Sequence, residues 1–96
     1  MYARVSRNIG TNGHAYAIDE IFPKVRALPG VKGVIMLGNP DRNETISVVL
    51  YEDEAALLRN TQAARQLREQ TFDNTGHELV DVVSYEVIHV DMDLVE

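Results

Sequence analysis

Four side chains carry most of the chemical potential of this 96-residue sequence: Asn60, His14, Arg7 and Tyr51. Asn60 falls in the stripe Leu57, Asn60, Ala64, Leu67, whose helical spacing sets an amide among apolar neighbours. A buried amide must find partners; a ligand carbonyl or hydroxyl is one kind, water or a backbone carbonyl the other. His14 stands four residues before Ile18, so a helix that begins early enough turns its imidazole toward the sheet, where a pKa near neutrality suits a general base. Beside Gly13 it could equally be a solvated cap residue. Arg7 shares the parity of Ala3, Val5 and Ile9 and so points inward from the first strand, either to hold an anionic or phenolate ligand or to pair with an acid at the rim. Tyr51 offers an aromatic wall and a hydroxyl, or simple packing at a strand end.

Other chemistries have less support. Cysteine is absent, which removes disulfides and thiolate nucleophiles and fits a reducing cytoplasm. No two histidines have short metal-ligand spacing and the acids cluster on polar segments, so no metal is expected. His77 falls in a polar loop and His89 in the last strand, while Arg65 and Arg68 lie off the helical stripe as solvated residues, Arg65 near Glu69. Gly10-Thr11-Asn12-Gly13 lacks the third Gly or the Lys-Ser/Thr ending of a phosphate-binding loop. A formal charge of −6, with acids at Glu52-Asp53-Glu54 and at Asp91, Asp93 and Glu96, opposes nucleic-acid binding. No apolar segment is long enough for a membrane helix, and no basic-then-apolar leader opens the chain.

The elements that must position these residues are legible from periodicity. Residues 2–9 alternate as a half-buried strand. Thr11 or Asn12 then caps a helix with the stripe Ala17, Ile18, Ile21, Phe22, Val25, Leu28, and Pro23 inside it predicts a kink near Asp19 to Phe22 or a break into shorter pieces. Pro29-Gly30-Val31-Lys32-Gly33 marks the switch into the apolar run Val34 to Leu37. Gly38 to Asn43 is dense in turn formers and Thr45 to Tyr51 returns as a strand, which makes a hairpin. Asp53 caps a second helix from Glu54 to about Gln70, Thr71 to His77 is a loop, and everything from Glu78 looks extended.

Together these give a single α+β domain over residues 1–96 with a ferredoxin-like β-α-β-β-α-β order and a four-stranded antiparallel sheet. Val34 to Leu37, Val48 to Leu50 and Val82-Val83 are apolar at consecutive positions, so both faces of the sheet want cover. Two helices shield one face; a second copy, packed sheet to sheet, shields the other. At this length, partnership also helps bury enough apolar surface. The interface residue is Val48 or Val49, according to parity. The last strand changes parity near Val87-Ile88, which a bulge would explain, and its run from Leu79 to Leu94 far exceeds the usual strand of about five to six residues, so its end should reach the partner.

Leu28-Pro29-Gly30-Val31-Lys32-Gly33, the acidic turn around Asp41, Tyr51-Glu52-Asp53-Glu54-Ala55 and Tyr85-Glu86-Val87-Ile88-His89 together resemble the antibiotic biosynthesis monooxygenase-like family of dimeric α+β barrel proteins, over nearly the whole chain. Tyr51 stands where that pattern usually has Trp, and Asp53 where it has Ser. The resemblance implies a ligand site between sheet and helices in each subunit of a homodimer. It also implies a family whose members include cofactor-independent oxygenases, haem-degrading enzymes and isomerases. The haem-degrading branch relies on an Asn in the first strand plus a Trp and a His in the second helix; Asn8 has the wrong parity, and the Trp and the helical His are missing. The expected function is therefore binding, and oxidation without a cofactor, of a small aromatic or polyketide-like molecule. Asn60 and Tyr51 would contact the ligand, and His14 or Arg7 would assist deprotonation. The alternative is a non-catalytic dimeric module of the same fold.

Overall fold

The computed structural model describes residues 1–94, so Glu96 of the acidic tail lies outside the described residues. Strand β1 spans Tyr2–Ile9. A broken helical segment follows: an α-helical turn α1 (His14–Tyr16), a π-helical turn (Ala17–Ile21) and α2 (Phe22–Arg26). Strands β2 (Val31–Asn39) and β3 (Glu44–Tyr51) flank a 3₁₀ turn at Pro40–Arg42; helices α3 (Glu54–Arg59) and α4 (Thr61–Thr75) then lead into β4 (Glu78–Glu86). The strands run β2-β3-β1-β4, with every neighbouring pair antiparallel. This is the expected ferredoxin-like α+β arrangement.

Pro23 does interrupt the first helix. It sits in the first turn of α2, just after the π turn, where its missing N–H costs least, and the wider turn leaves Ala17, Ile21 and Val25 buried but swings Ile18 into solvent. Neither Thr11 nor Asn12 caps this segment; Gly13, at φ 78°, supplies the turn and accepts from the Ala17 N–H. Asp53 caps α3 as its sequence position requires, accepting from the Ala56 N–H at 2.8 Å.

The second helix is longer than expected and is interrupted. It continues through the expected loop to Thr75 and closes on Gly76, at φ 74°. Its break falls at Asn60, where the Leu57 carbonyl receives Arg4 Nη2 at 2.9 Å and Thr61 Oγ1 at 3.3 Å. Side-chain donors thus occupy the carbonyl that a continuous helix reserves for its own fourth-neighbour N–H. The closing strand is shorter than expected. It stops at Glu86, and the register irregularity lies instead opposite Arg7 and Asn8, where Val80 is skipped. Residues 87–94 are irregular and mostly exposed, tied back by the Val87 N–H to the Met1 carbonyl at 2.9 Å.

Register assigns the two faces of the sheet. Ala3, Val5 and Arg7 lie opposite Leu50, Val48 and Ile46 on β3 and opposite Tyr85, Val83 and Asp81 on β4, and Ile35 and Leu37 join them from β2. That face has no helix over it. The other face, beneath the helices, carries Arg4, Ser6, Asn8, Thr45, Ser47 and Val49. The apolar parity of β1 therefore marks the bare face rather than the covered one. Val48 lies on the bare face and Val49 under the helices. At one end of the covered face the core is sealed by Val31, Tyr51, Ala56 and Leu57, with Leu28, Val34 and Val49 packed against them.

Candidate functional site

Between the covered face and the helices lies a cavity of about 60 Å³. Ile21, Phe22, Val25, Leu67, Phe72 and Met36 form its apolar wall, and Arg4, Asn8, Thr45, Arg68 and His77 bring polar atoms to it. Pockets that bury drug-sized ligands run to ~300–1,000 Å³ and a cavity that holds a benzene ring to ~150 Å³, so even a single ring enters this one only when its walls move.

His77 is the group best placed for proton transfer. It follows directly on the Gly76 turn, is 7% exposed, and lies against Gly10 so closely that a β-carbon at Gly10 would run into the imidazole. Gly10 also adopts φ 127°, a conformation that favours glycine, so it both turns the chain out of β1 and makes room for the ring. Nε2 of His77 bonds the Asn12 carbonyl oxygen and therefore carries a proton; Nδ1 then accepts from Asn8 Nδ2 at 3.0 Å. This defines a neutral imidazole whose basic nitrogen is held by an amide inside the cavity.

A second histidine stands beside it. His14 and His77 approach edge to face with ring centroids 6.3 Å apart. Thr45 Oγ1 donates its single proton to the Gly10 carbonyl at 2.5 Å, so the 3.0 Å contact with His14 must be a donation from Nε2–H. His14 faces a neighbouring open groove with Thr11, Ile18 and Gly38 and is not part of the cavity wall, so it occupies the rim.

Arg4 crosses the opposite end. It is 4% exposed, donating to Tyr51 Oη at 3.2 Å, the Leu57 carbonyl at 2.9 Å and Thr61 Oγ1 at 2.9 Å, with its guanidinium carbon 5.3 Å from the Tyr51 ring centroid. Tyr51 is wholly buried, and burial pushes its phenol above its ordinary value near 10, against the opposing pull of Arg4 and Arg68. Tyr51 thus supports Arg4 from the core and does not line the cavity. Burial and the Arg4 charge in turn lower the pKa of Arg68, which is half-buried at the cavity and not solvated.

Two expected site residues lie elsewhere. Arg7 is on the bare face, where it pairs with Glu44 at 3.6 Å and Asp81 at 3.8 Å; its apolar neighbours follow the outward parity. Asn60 is buried, but its Nδ2 donates to the Pro29 and Ala56 carbonyls, both at 2.8 Å, and it does not reach the cavity. It ties the loop entering β2 to the break between α3 and α4. Asn8 is the reverse case, since its parity directs it into the cavity. The outward parity expected of Asn8 is thus corrected, while the sequence has no Trp and the second helix no His. His77 and Asn8 were not selected from the sequence. The signal available was the alternating polar set Arg4, Ser6, Asn8 matched by Thr45 and Ser47, a polar stripe in each of two strands.

The fold is similar to that of antibiotic biosynthesis monooxygenase-type proteins. The structure resembles ActVA-Orf6 of Streptomyces coelicolor, a monooxygenase solved with nanaomycin D, at a TM-score of 0.70 and 15% identity over 97% of this chain and 92% of that one. It is also similar to an antibiotic biosynthesis monooxygenase-type protein of Deinococcus radiodurans (TM-score 0.67, 9% identity, 98% and 99% covered). An asparagine-to-alanine variant of SnoaB, a cofactor-independent oxygenase of Streptomyces nogalater, is similar too (TM-score 0.66, 11% identity, 93% and 94% covered). No family model and no curated protein matches the sequence. No helix of the described residues is long and apolar enough to cross a membrane.

Proposed function

We propose that this protein binds a small aromatic molecule in the cavity and oxidises it with molecular oxygen, without a cofactor, as a cytoplasmic homodimer. The observation that carries the reading is the His77–Asn8 pair: a buried neutral imidazole and an amide presented together at a cavity with one apolar wall. Asn8 Nδ2 would turn from His77 to a ligand carbonyl or hydroxyl, and the freed Nδ1 would take a proton from the activated ring position. The carbanion, desolvated among Ile21, Phe22 and Phe72, would pass electrons to oxygen and form a C–O bond. Loss of water from the hydroperoxide leaves a carbonyl, so CH₂ plus O₂ becomes C=O plus H₂O. His14 at the rim is a candidate for returning that proton to solvent. The bare face would pack against a second copy, with residues 87–94 extending along the partner.

A second reading, a non-catalytic dimeric module, is favoured by the small volume of the cavity. Thermal unfolding against dihydroxyaromatics, quinols, aromatic acids and haem separates the two, because a ligand of the native state raises its melting temperature. A shift with one aromatic class, accompanied by oxygen uptake that falls about 100-fold or more in His77→Gln, is the expected result. No shift and no uptake across the panel would favour the non-catalytic module.

A further inference from the structure

Charge at the cavity is unbalanced. Arg4 is 96% removed from solvent by its 4% exposure, yet its three hydrogen bonds all go to neutral oxygens, and no carboxylate of the described residues lies within ion-pair distance. Two of its five N–H groups have no protein acceptor among the described residues. Arg68 brings a second guanidinium to the same cavity, also with neither hydrogen bond nor ion pair among the described residues. Its near neighbour Glu69 is engaged by Arg65 at 3.2 Å. No Asp or Glu of the described residues lines the cavity.

Buried charge is ordinarily kept only when it is paired, and two like charges at one apolar site oppose each other. The Tyr51 ring, 5.3 Å from the Arg4 guanidinium carbon, offsets part of the cost for Arg4. Arg68 bears the burden visibly, since burial and Arg4 both lower its pKa. An anion between the two guanidiniums would supply the missing partner, and the planar forks suit the two oxygens of a carboxylate. The apolar wall of Phe22, Phe72 and Leu67 then takes the rest of the molecule, and the small volume favours no more than one ring, seated as the wall side chains move aside.

We propose that the cavity selects a monoanionic ligand, a single-ring aromatic carboxylate, seated with its carboxylate between Arg4 and Arg68. This rests on the reading of the cavity as a ligand site and adds the charge and size of what enters it.

The test is calorimetric titration of the intact protein at about pH 7 with benzoate and salicylate against benzamide and salicylamide, which match them in shape without the charge. The acids are expected to bind about tenfold or more tightly than the amides, a preference abolished in Arg68→Gln and in Arg4→Met. Arg68 is only partly buried and makes no hydrogen bond or ion pair among the described residues, so its variant keeps the test decisive even if Arg4→Met fails to fold. Amides that bind as well as the acids would overturn the anion assignment and leave the ligand site standing, as would acid binding unchanged in Arg68→Gln. Failure of all four compounds to bind would overturn both.

Discussion

The two faces of this sheet invert the usual arrangement. The face beneath the helices is the polar one, with Arg4, Ser6, Asn8, Thr45 and Ser47, whereas the face without helices carries Val5, Ile35, Leu37, Val48, Leu50, Val83 and Tyr85. Leu37 and Tyr85 are about half exposed there, at 51% and 54%. The covered polar groups are not stranded: no fully enclosed side-chain nitrogen or oxygen of the described residues lacks a hydrogen bond. Each face thus lacks something different. The covered face has its internal bonds but an uncompensated positive charge, which fits a small ligand. The bare face gathers its charges toward one end, where Arg7 pairs with Glu44 and Asp81 and Glu78 lies opposite Ile9, and is otherwise a broad apolar surface, which fits a second copy of the chain.

The largest effect should come from a charge placed on the bare face. Val48→Glu is expected to convert dimers into monomers or aggregates by light scattering, since burying an unpaired carboxylate costs several kcal/mol; unchanged dimers would remove this face as the interface. Next comes a contrast along one strand. Arg4→Met leaves the Tyr51 hydroxyl without its donor and should cost about 1–3 kcal/mol in urea unfolding, whereas Arg7→Gln loses only exposed ion pairs and should cost under about 1 kcal/mol. Equal costs would break the distinction between the faces. The smallest effect on binding is expected for Asn60→Leu, which frees the Pro29 carbonyl and should lower stability by about 1–2 kcal/mol without changing ligand affinity. Lost affinity in a stable Asn60→Leu protein would return Asn60 to the site.

The order of elements, the hairpin, the Asp53 cap and the interruption at Pro23 were all readable, because each depends on neighbours within a few residues. The need for cover on both faces was also readable, from the consecutive apolar residues of Val34 to Leu37 and Val48 to Leu50. The site was not. Arg7 was assigned to the cavity because apolar parity ordinarily marks the helix-covered side, and here it marks the bare one. Asn60 has the spacing of an inward residue, but at a break between helices that spacing no longer predicts direction. His77 lies in the loop its sequence predicts, but α4 runs on to Thr75, about five residues beyond its expected end, so that loop is only two residues long and holds the imidazole against Gly10.

Local periodicity and turn chemistry thus determined the α+β fold and its βαββαβ order by themselves, since backbone preferences and side-chain alternation act over a few residues. Which side of the sheet the helices cover depends on contacts between residues as far apart as Arg4 and Leu57 or Asn8 and His77. Only the tertiary structure decided it, and with it which polar residues meet at the cavity. Alternation divides a strand into two faces, but it carries no label for which face will be covered.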